Sequence, residues 1–180
     1  MKIAQELRER NVAEYLLYMW QQEDLLRAFD GNIERLEHDY LSQFQVTDEE
    51  HAEMRQWYAD LAEMMHDEGV MASGHVQVNK NIIILLNDLH TQLLHSPKHP
   101  FYSAAYYKAL PFIVELRQRS QSQEKCEIEN CFDALYGLML LRLQGKPVSD
   151  ETQQAMGHIS HLLGLLSDYE KKDKAGTLEV

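Results

Sequence analysis

The sequence predicts an all-α protein, and three observations support that prediction. The chain of 180 residues contains only eight glycines and four prolines, and it is rich in leucine, glutamate, glutamine and alanine, which favour helix over strand. Apolar residues make up 44% and charged residues 26% of the sequence, as in ordinary globular domains. Several long segments repeat their apolar residues at helical spacing. We therefore expect a compact bundle of six to seven helices, two or three of them central and apolar.

The first predicted helix contains the segment NVAEYLLYMWQQEDLLRAF, residues 11 to 29, whose middle turn and a half has no polar side. On a helical wheel, Leu16 and Met19 lie on one side of this segment. Leu17 and Trp20 lie on the other side. A helix that is apolar on both sides is usually packed between neighbours, so we expect a central helix in which all four side chains are largely inaccessible.

Turn and capping residues delimit the next two helices. The dipeptide Asp30-Gly31 ends the first helix, and a short second helix covers about residues 33 to 44. Thr47 and Glu50 have the spacing of a capping box, which predicts the start of a third helix. The third helix has one apolar stripe and many acids, so we expect it on the outside of the bundle.

Four further helices follow in the second half of the chain. The fourth ends before Pro97, because proline disfavours helical geometry in the preceding residue. The fifth begins near Pro100 and should be kinked at Pro111, which has no N–H to donate. The sixth, about residues 125 to 144, contains the run LYGLMLLRL, which is apolar nearly all round. The seventh ends near Tyr169.

These helices predict one helical-bundle domain over residues 1 to 170, followed by a polar C-terminal tail from 171 to 180. A chain of this length can bury a core without disulfides. Cys126 and Cys131 are five residues apart in the predicted sixth helix, too far apart to bridge, so we expect reduced thiols.

Charge and hydropathy argue against several kinds of partner. The net charge is −12, with 18 acids and 7 bases in residues 1 to 90 and 11 acids and 10 bases in residues 91 to 180. This charge repels nucleic acid and anionic membranes, so we expect neither as a partner. No apolar stretch approaches the roughly 18 to 20 residues of a membrane span, and the N-terminus lacks the apolar region of a signal peptide. We expect a cytoplasmic protein.

The sequence contains no complete metal or catalytic motif. Glu63 and His66 form an E-x-x-H pair like those of di-iron bundles, but such sites need a second pair on another helix. No such second pair is present, so we interpret Glu63 and His66 as part of a solvated acidic face. His158 and His161 lack a third ligand. Because nucleotide-binding and nucleophile motifs are also missing, we expect no metal, no cofactor and no catalytic residue.

Polar residues within apolar helix faces are the candidate ligand-binding residues. Glu23 lies in the apolar face of the first helix, and Arg27 follows one turn later as a possible ion-pair partner. His90 lies within the apolar arc of the fourth helix. Such groups are either satisfied core residues or the lining of a pocket between helices. For the pocket, the candidates are Glu23, Arg27, His90, Tyr18 and Tyr106.

Two functions of different classes are compatible with these patterns. The last helix carries Gly157, Ser160 and Gly164 on one face, which would let another helix approach closely. With no catalytic motif present, this favours a non-enzymatic helical module that binds a protein partner or itself. The alternative is a small-molecule binder or enzyme that uses an inter-helix pocket with Glu23, His90 and tyrosines.

Three segments carry a resemblance to a known family: IAQELRERNVAEYLLYMWQQEDLLRAF, VNKNIIILLNDLHTQLL and FYSAAYYKALPFIVELRQ. They resemble a family of uncharacterised bacterial proteins of about this length, classed as a domain of unknown function and seen mainly in Bacteroides-type bacteria. The resemblance spans the whole chain and carries no catalytic motif. It implies a cytoplasmic, standalone bacterial protein.

Overall fold

A computed structural model describes residues 2–119 and 125–179 of the chain. Over these residues the protein is all-helical and contains no strand, which confirms the predicted fold class. The predicted count of six to seven helices is too low, because the described residues form eight α-helices and one short 3-10 helix, Leu41–Gln43. The α-helices are α1 (Lys2–Arg10), α2 (Val12–Ala28), α3 (Ile33–Asp39), α4 (Asp48–Asp67), α5 (Gln77–His95), α6 (Pro100–Arg119), α7 (Glu127–Leu143) and α8 (Asp150–Lys174). Within the same residues, no helix combines the length and apolar character needed to cross a membrane.

The additional helix arises at Asn11, which separates α1 from α2. The side-chain oxygen of Asn11 accepts a hydrogen bond from the backbone N–H of Ala13 at 3.0 Å. This bond satisfies a backbone donor at the start of α2, as helix-capping side chains do. The apolar periodicity continues across the break, and for that reason the sequence predicted one helix here instead of two.

The chain divides into two compact units. Unit 1 comprises Met1–Arg10 and Glu14–Asn81, and unit 2 comprises Asn11–Ala13 and Ile82–Val180. By sequence, unit 1 contains 17 acids and 7 bases, whereas unit 2 contains 12 acids and 10 bases. Nearly all of the net negative charge therefore belongs to unit 1. The single domain over residues 1 to 170 stays a prediction.

Unit 1 has its own core of buried apolar side chains. The core draws on α1, α2, α3, the 3-10 helix, α4 and the loop that follows α4; its buried members are Ala4, Met19, Leu26, Leu36, Leu41, Tyr58, Leu61, Ala62, Met65, Val70 and Val76. Helix α4 starts at the predicted capping box, in which Thr47 Oγ1 accepts from the Glu50 N–H at 3.2 Å and Glu50 Oε2 accepts from the Thr47 N–H at 3.0 Å. The capping prediction is confirmed.

The apolar middle of α2 is covered on both sides, but not equally. Leu16, Met19 and Trp20 are buried, while Leu17 is only half-buried. The Trp20 ring stacks on the imidazole of His75, with the ring centroids 4.0 Å apart. The expected burial of all four side chains is therefore correct for three of them and only partly correct for Leu17.

Unit 2 consists of most of α5 together with α6, α7 and α8. Helices α6, α7 and α8 pack against one another, and α6 continues as one helix through Pro111. The apolar arc predicted for α5 is buried, and His90 is buried within it. The main buried residues of the unit are Ile82, Ile83, Leu86, Leu89, Leu93, Tyr102, Ile113, Ile128, Cys131, Phe132, Ile159, Leu162, Leu163 and Leu166.

The second apolar run, in α7, is covered less completely than the sequence suggested. Within residues 135–143 only Leu138 is buried, and Leu141 and Leu143 are exposed. The first half of the same helix contains the buried residues Phe132 and Cys131, and both cysteines are free thiols. An apolar run therefore did not by itself identify a helix that is packed on all sides.

Helix α8 extends to Lys174, beyond the predicted end near Tyr169 and into the predicted polar tail. Lys174 pairs with Glu170 at 2.7 Å, one turn earlier, and lysines in a last turn interact favourably with the helix dipole. Gly176 has a φ of +67°, and the N–H of Thr177 donates to the carbonyl of Lys172 at 2.9 Å. This glycine-containing cap ends the helix later than the loss of apolar periodicity suggested.

Among residues 2–119 and 125–179, the glycines of α8 do not contact another helix. A Cβ added to Gly157 or Gly164 would find no described atom within 4 Å. Replacement by alanine should therefore improve helix propensity without a clash, and we expect Gly157→Ala to raise the free energy of unfolding by about 0.5 to 1 kcal/mol. Urea unfolding followed by circular dichroism measures this change. A loss of stability would mean that the position packs closely against another segment.

Candidate functional site

Glu23, on α2, is a fully buried carboxylate in unit 1, with an exposure of 0%. Its Oε2 lies 2.5 Å from Nδ1 of His75. Its Oε1 accepts hydrogen bonds from the backbone N–H of Val76 at 3.2 Å and from the side-chain amide of Asn79 at 2.9 Å. Val76 and Asn79 lie at the beginning of α5, so the carboxylate satisfies donors at the N-terminus of that helix, where negative charge is favourable.

Arg27 is a weaker partner of Glu23 than the sequence predicted. Its Nη2 lies 4.0 Å from Glu23 Oε2, at the limit of an ion pair. The guanidinium instead pairs with Asp24 through Nη1 at 2.7 Å and donates from Nη2 to the carbonyl oxygens of Val70, at 3.0 Å, and Gly74. Arg27 and Glu23 together hold the loop between α4 and α5 against α2.

Tyr18 lies near a second polar group of α2. The Tyr58 hydroxyl donates to Gln22 Oε1 at 2.6 Å, and the Gln22 amide donates to the backbone carbonyl of Tyr18 at 3.3 Å. Burial, with a smaller contribution from Tyr40, raises the pKa of the Tyr18 hydroxyl to about 12. The phenol is therefore protonated at neutral pH and can act there only as a neutral hydrogen-bonding group.

His90, on α5, is the centre of a separate polar network in unit 2. Its exposure is 4%, and its Nδ1 lies 2.6 Å from the hydroxyl of the fully buried Tyr102 on α6. Its Nε2 lies 3.8 Å from Glu127 Oε2 on α7. Glu127 also accepts from the Tyr106 hydroxyl at 3.1 Å and from Arg117 Nη1 at 3.3 Å. The network therefore connects three helices of unit 2.

Burial shifts the proton affinities of the groups in and beside this network. Burial lowers the pKa of His90, while the neighbouring Glu127 acts in the opposite direction. Burial also raises the pKa of Tyr102, and it raises the pKa of Tyr106 to about 12 and that of the Cys131 thiol to about 12. Neither the phenols nor the thiol is ionised at neutral pH, so none of them is an activated nucleophile.

His90 should make stability depend on pH. Because the pKa of His90 is lower in the folded protein than the value of about 6.5 in an unfolded chain, the unfolded chain binds more protons below that pH. The free energy of unfolding should therefore decrease as the pH falls below about 6.5. Well above that pH His90 is neutral in both states, so the folded protein keeps its full stability there. Urea unfolding between about pH 5 and 8 measures the slope.

The variant His90→Gln removes the titrating group and should reduce this pH dependence. Gln keeps an oxygen that can accept from Tyr102. The matched control is His95→Gln, which removes an exposed histidine at the end of the same helix. A His90→Gln protein with the same slope as the unsubstituted protein would show that His90 does not cause the effect.

A surface cleft of about 610 Å³ lies within unit 1. Its walls are the turn between α2 and α3, one face of α4 and the loop after α4. The cleft is lined by the E-x-x-H pair of α4 and by Arg27, among others; the lining residues are Arg27, Asp30, Gly31, Ile33, Ala59, Ala62, Glu63, His66, Met71 and Ala72. Glu63 and His66 are therefore at the edge of a partly apolar depression.

Residues 2–119 and 125–179 contain no group of three or more histidine, cysteine, aspartate or glutamate side chains placed to hold a metal ion. Glu63 and His66 lie on the same helix, as the sequence indicated. The expectation of no metal and no cofactor stays a prediction, which elemental analysis of protein purified without chelators would test.

Comparison with known proteins gives a family but no activity. The family model DUF4924, a domain of unknown function, matches residues 1–177 of the chain. The chain belongs to the DUF4924 family. No curated protein and no solved structure matches it. The predicted membership of a domain-of-unknown-function family is confirmed, whereas the bacterial, Bacteroides-type origin stays a prediction.

In this DUF4924 protein the five predicted ligand-binding residues belong to two different units. Glu23, Arg27 and Tyr18 lie in unit 1, and His90 and Tyr106 lie in unit 2. A ligand-binding role for any of them stays a prediction.

The principal partners of Glu23 and His90 were not evident from the sequence. His75 and Asn79 lie more than 50 residues from Glu23 along the chain, and Tyr102 and Glu127 follow His90 on other helices. The one available signal was chemical: a carboxylate or imidazole within an apolar helix face needs buried partners. That signal indicates that partners exist but does not identify them.

Proposed function

We propose that this protein is a non-enzymatic helical module that self-associates through the outer face of α6. One observation supports the proposal: α6 is apolar on two opposite sides. Its inner side is buried within unit 2 through Tyr102, Ala105, Ala109 and Ile113. Its outer side carries a second apolar row, the outer ridge, which consists of the exposed residues Ala104, Tyr107, Pro111 and Val114.

The residues of the outer ridge are spaced three or four apart, so they lie along one line of the helix. Tyr107 is 66% exposed, and Phe101, one turn before Ala104, is 82% exposed. Large apolar side chains in such a row favour contact with another apolar surface, because burial removes them from water. A row of this kind on a helix that already has a buried face supports an interaction role.

A second copy of the chain is a partner that the charges of unit 2 permit. Unit 2, which carries the ridge, has 12 acids and 10 bases, so two copies of it repel each other only weakly. Helix α6 spans about 30 Å, and a helix of this length can pack on its own copy about a two-fold axis. A single ridge is small beside the roughly 800 Å² per partner of a standard interface, so we expect a weak dimer with micromolar affinity.

Analytical ultracentrifugation tests this proposal. A lysine in the middle of the ridge would leave a charge buried at the interface, so Tyr107→Lys should weaken dimerisation by at least about tenfold. The matched control is Leu85→Lys, which changes an apolar residue of similar exposure, 63%, on α5. A protein that is monomeric well above micromolar concentration would refute the proposal, and so would equal effects of the two substitutions.

The α8 face offers a different route to self-association and can be tested separately. A side chain at position 157 would meet no neighbouring atom of the described chain, so Gly157→Leu should leave the folded monomer intact. If Gly157→Leu abolishes a dimer that Tyr107→Lys leaves unchanged, the small-residue face of α8, and not the ridge, forms the contact.

An inter-helix pocket for a small molecule has less support. Glu23 has hydrogen-bond partners within unit 1, and His90 has partners within unit 2. Both side chains therefore have hydrogen-bond partners inside the fold, as buried polar groups require, and neither needs a ligand to supply them. The lack of a nucleic-acid partner stays a prediction that follows from the acidic composition. The cytoplasmic location stays a prediction that follows from the hydropathy of the sequence.

A further inference from the structure

We propose that the cleft of unit 1 binds an amphipathic, positively charged segment of a partner polypeptide, with an apolar side chain of that segment on α4 and its basic residues near Asp30 and Glu63. This surface is formed by residues of unit 1, whereas the ridge of α6 is formed by residues of unit 2. The two proposals therefore rest on different residues.

Part of the lining of the cleft is apolar and includes several small side chains. Ala59 and Ala62 of α4 line it together with Ile33, the first residue of α3, and Met71 of the loop after α4. The volume of about 610 Å³ is in the range of small-molecule pockets and exceeds that of a single side chain. A leucine or phenylalanine can enter beside two alanines without displacing the core, because the alanines leave space above the helix.

The walls of the cleft are fixed by contacts within unit 1. Arg27 donates to the carbonyls of Val70 and Gly74 and so attaches the loop to α2. At Gly31, where φ is +69°, a Cβ would lie 3.0 Å from Met71 Cε, so the turn and the loop are in close contact. A cleft with fixed walls loses little conformational entropy on binding.

The charges around the cleft favour a basic occupant. Arg27 lies within it but is paired with Asp24 at 2.7 Å. The exposed carboxylates of Asp30 and Glu63 remain at the edge of the cleft. Unit 1 as a whole has 17 acids and 7 bases. A basic segment is therefore attracted to this unit over a distance and held locally by two carboxylates.

The length of the acidic surface favours a polypeptide over a small cation. Between Asp48 and Glu68 the sequence contains eight acids and one base, Arg55, and α4 is about 30 Å long. A small polyamine would fill only the cleft, whereas an amphipathic segment can place one apolar residue in it and further basic residues along α4. Unit 1 of a second copy is disfavoured as the occupant, because it carries the same negative charge.

The test uses a synthetic amphipathic helix of leucine and lysine as a probe, with a leucine–glutamate peptide of the same pattern for comparison. Binding to the full chain is followed by isothermal titration calorimetry and by amide chemical shifts in nuclear magnetic resonance spectra. We expect the lysine peptide to bind and to shift the signals of α4 and of the loop after it. Its affinity should decrease as the salt concentration is raised. The glutamate peptide should not bind.

Matched substitutions on α4 locate the site. Ala59→Trp fills the cleft and should weaken binding by at least about tenfold. Met64→Trp, at an exposed position of the same helix that does not line the cleft and lies about 140° away from Ala59 on the helical wheel, should have little effect. Glu63→Gln, which leaves the core unchanged, should weaken binding about two- to fivefold. Glu53→Gln removes the same charge from a position of α4 outside the cleft and should reduce peptide affinity less than Glu63→Gln does.

Four results would overturn the proposal. The first two are no binding of the lysine peptide and equal binding of the glutamate peptide. The others are an equal loss of peptide affinity in both members of either pair of variants, and the same chemical-shift changes with spermine alone. Equal loss would indicate diffuse charge attraction, and the spermine result would indicate a small-cation site. Tyr107→Lys should leave peptide binding unchanged, so failure of the dimer proposal can be distinguished from failure of this one.

Discussion

Replacing Glu23 with alanine should cost about 3 to 5 kcal/mol of unfolding free energy, the range expected when one partner of a buried charged network is removed. Glu23 is fully buried, and it accepts hydrogen bonds from the Val76 N–H and the Asn79 amide. Both donors lose their acceptor in the variant, and the start of α5 loses its negative cap. Urea unfolding followed by helical circular dichroism measures the loss.

The neighbouring Asp24 provides a matched control for this prediction. Asp24 pairs with Arg27, but its side chain is 44% exposed, so Asp24→Ala should cost no more than about 1 kcal/mol. Glu23→Gln keeps one acceptor oxygen and should give an intermediate loss. Hydrogen exchange adds an independent measurement, because Glu23→Ala should increase the exchange of amides in the first turn of α5. Equal losses for Glu23→Ala and Asp24→Ala would contradict the network.

The second large effect is expected in the apolar middle of α2. Leu16 is completely buried, so Leu16→Ala should leave a cavity and cost about 2 to 5 kcal/mol. Leu17 is half-buried, and its truncation should cost about 1 kcal/mol, because only part of its apolar surface leaves water on folding. The same unfolding measurement compares the two variants, which differ by one position and remove the same atoms.

Two outcomes would contradict the burial seen for α2. If Leu16→Ala hardly changed the free energy of unfolding, this side of the helix would be loosely packed. A Leu17→Ala as severe as Leu16→Ala would mean that both sides of the helix are fully covered in solution, as the sequence predicted. In that case the half-exposed side would be covered by a further segment or a partner.

Much of the secondary structure could be predicted because it depends on local sequence. The capping box at Thr47 and Glu50 marks the start of α4, and its two hydrogen bonds connect residues only three apart. The buried arc of α5 follows from spacing along one helix, and Leu86, His90 and Leu93 are all buried as expected. The break at Asn11 was missed because apolar periodicity continues across it.

The candidate sites could be predicted only in part, because periodicity identifies an unusual residue without identifying its partner. Glu23 and His90 were recognised as polar groups within apolar faces, but the predicted Glu23–Arg27 pair proved to be a long one, at 4.0 Å. The hydrogen-bond partner His75 comes from a loop 52 residues away. The cleft beside Glu63 and His66 also depends on that loop, and the E-x-x-H spacing alone gave no indication of it.

The sequence by itself determined that this protein is helical, acidic mainly in its first half, and without a recognisable catalytic motif. Only the tertiary structure decided which apolar sides are covered: Leu16 is buried and Leu17 half-buried on α2, while Tyr107 remains exposed on α6. Helix formation depends on hydrogen bonds and side chains within a few residues of one another. Burial and hydrogen-bond partners depend instead on segments that are distant along the chain, and their positions are fixed only when the helices pack.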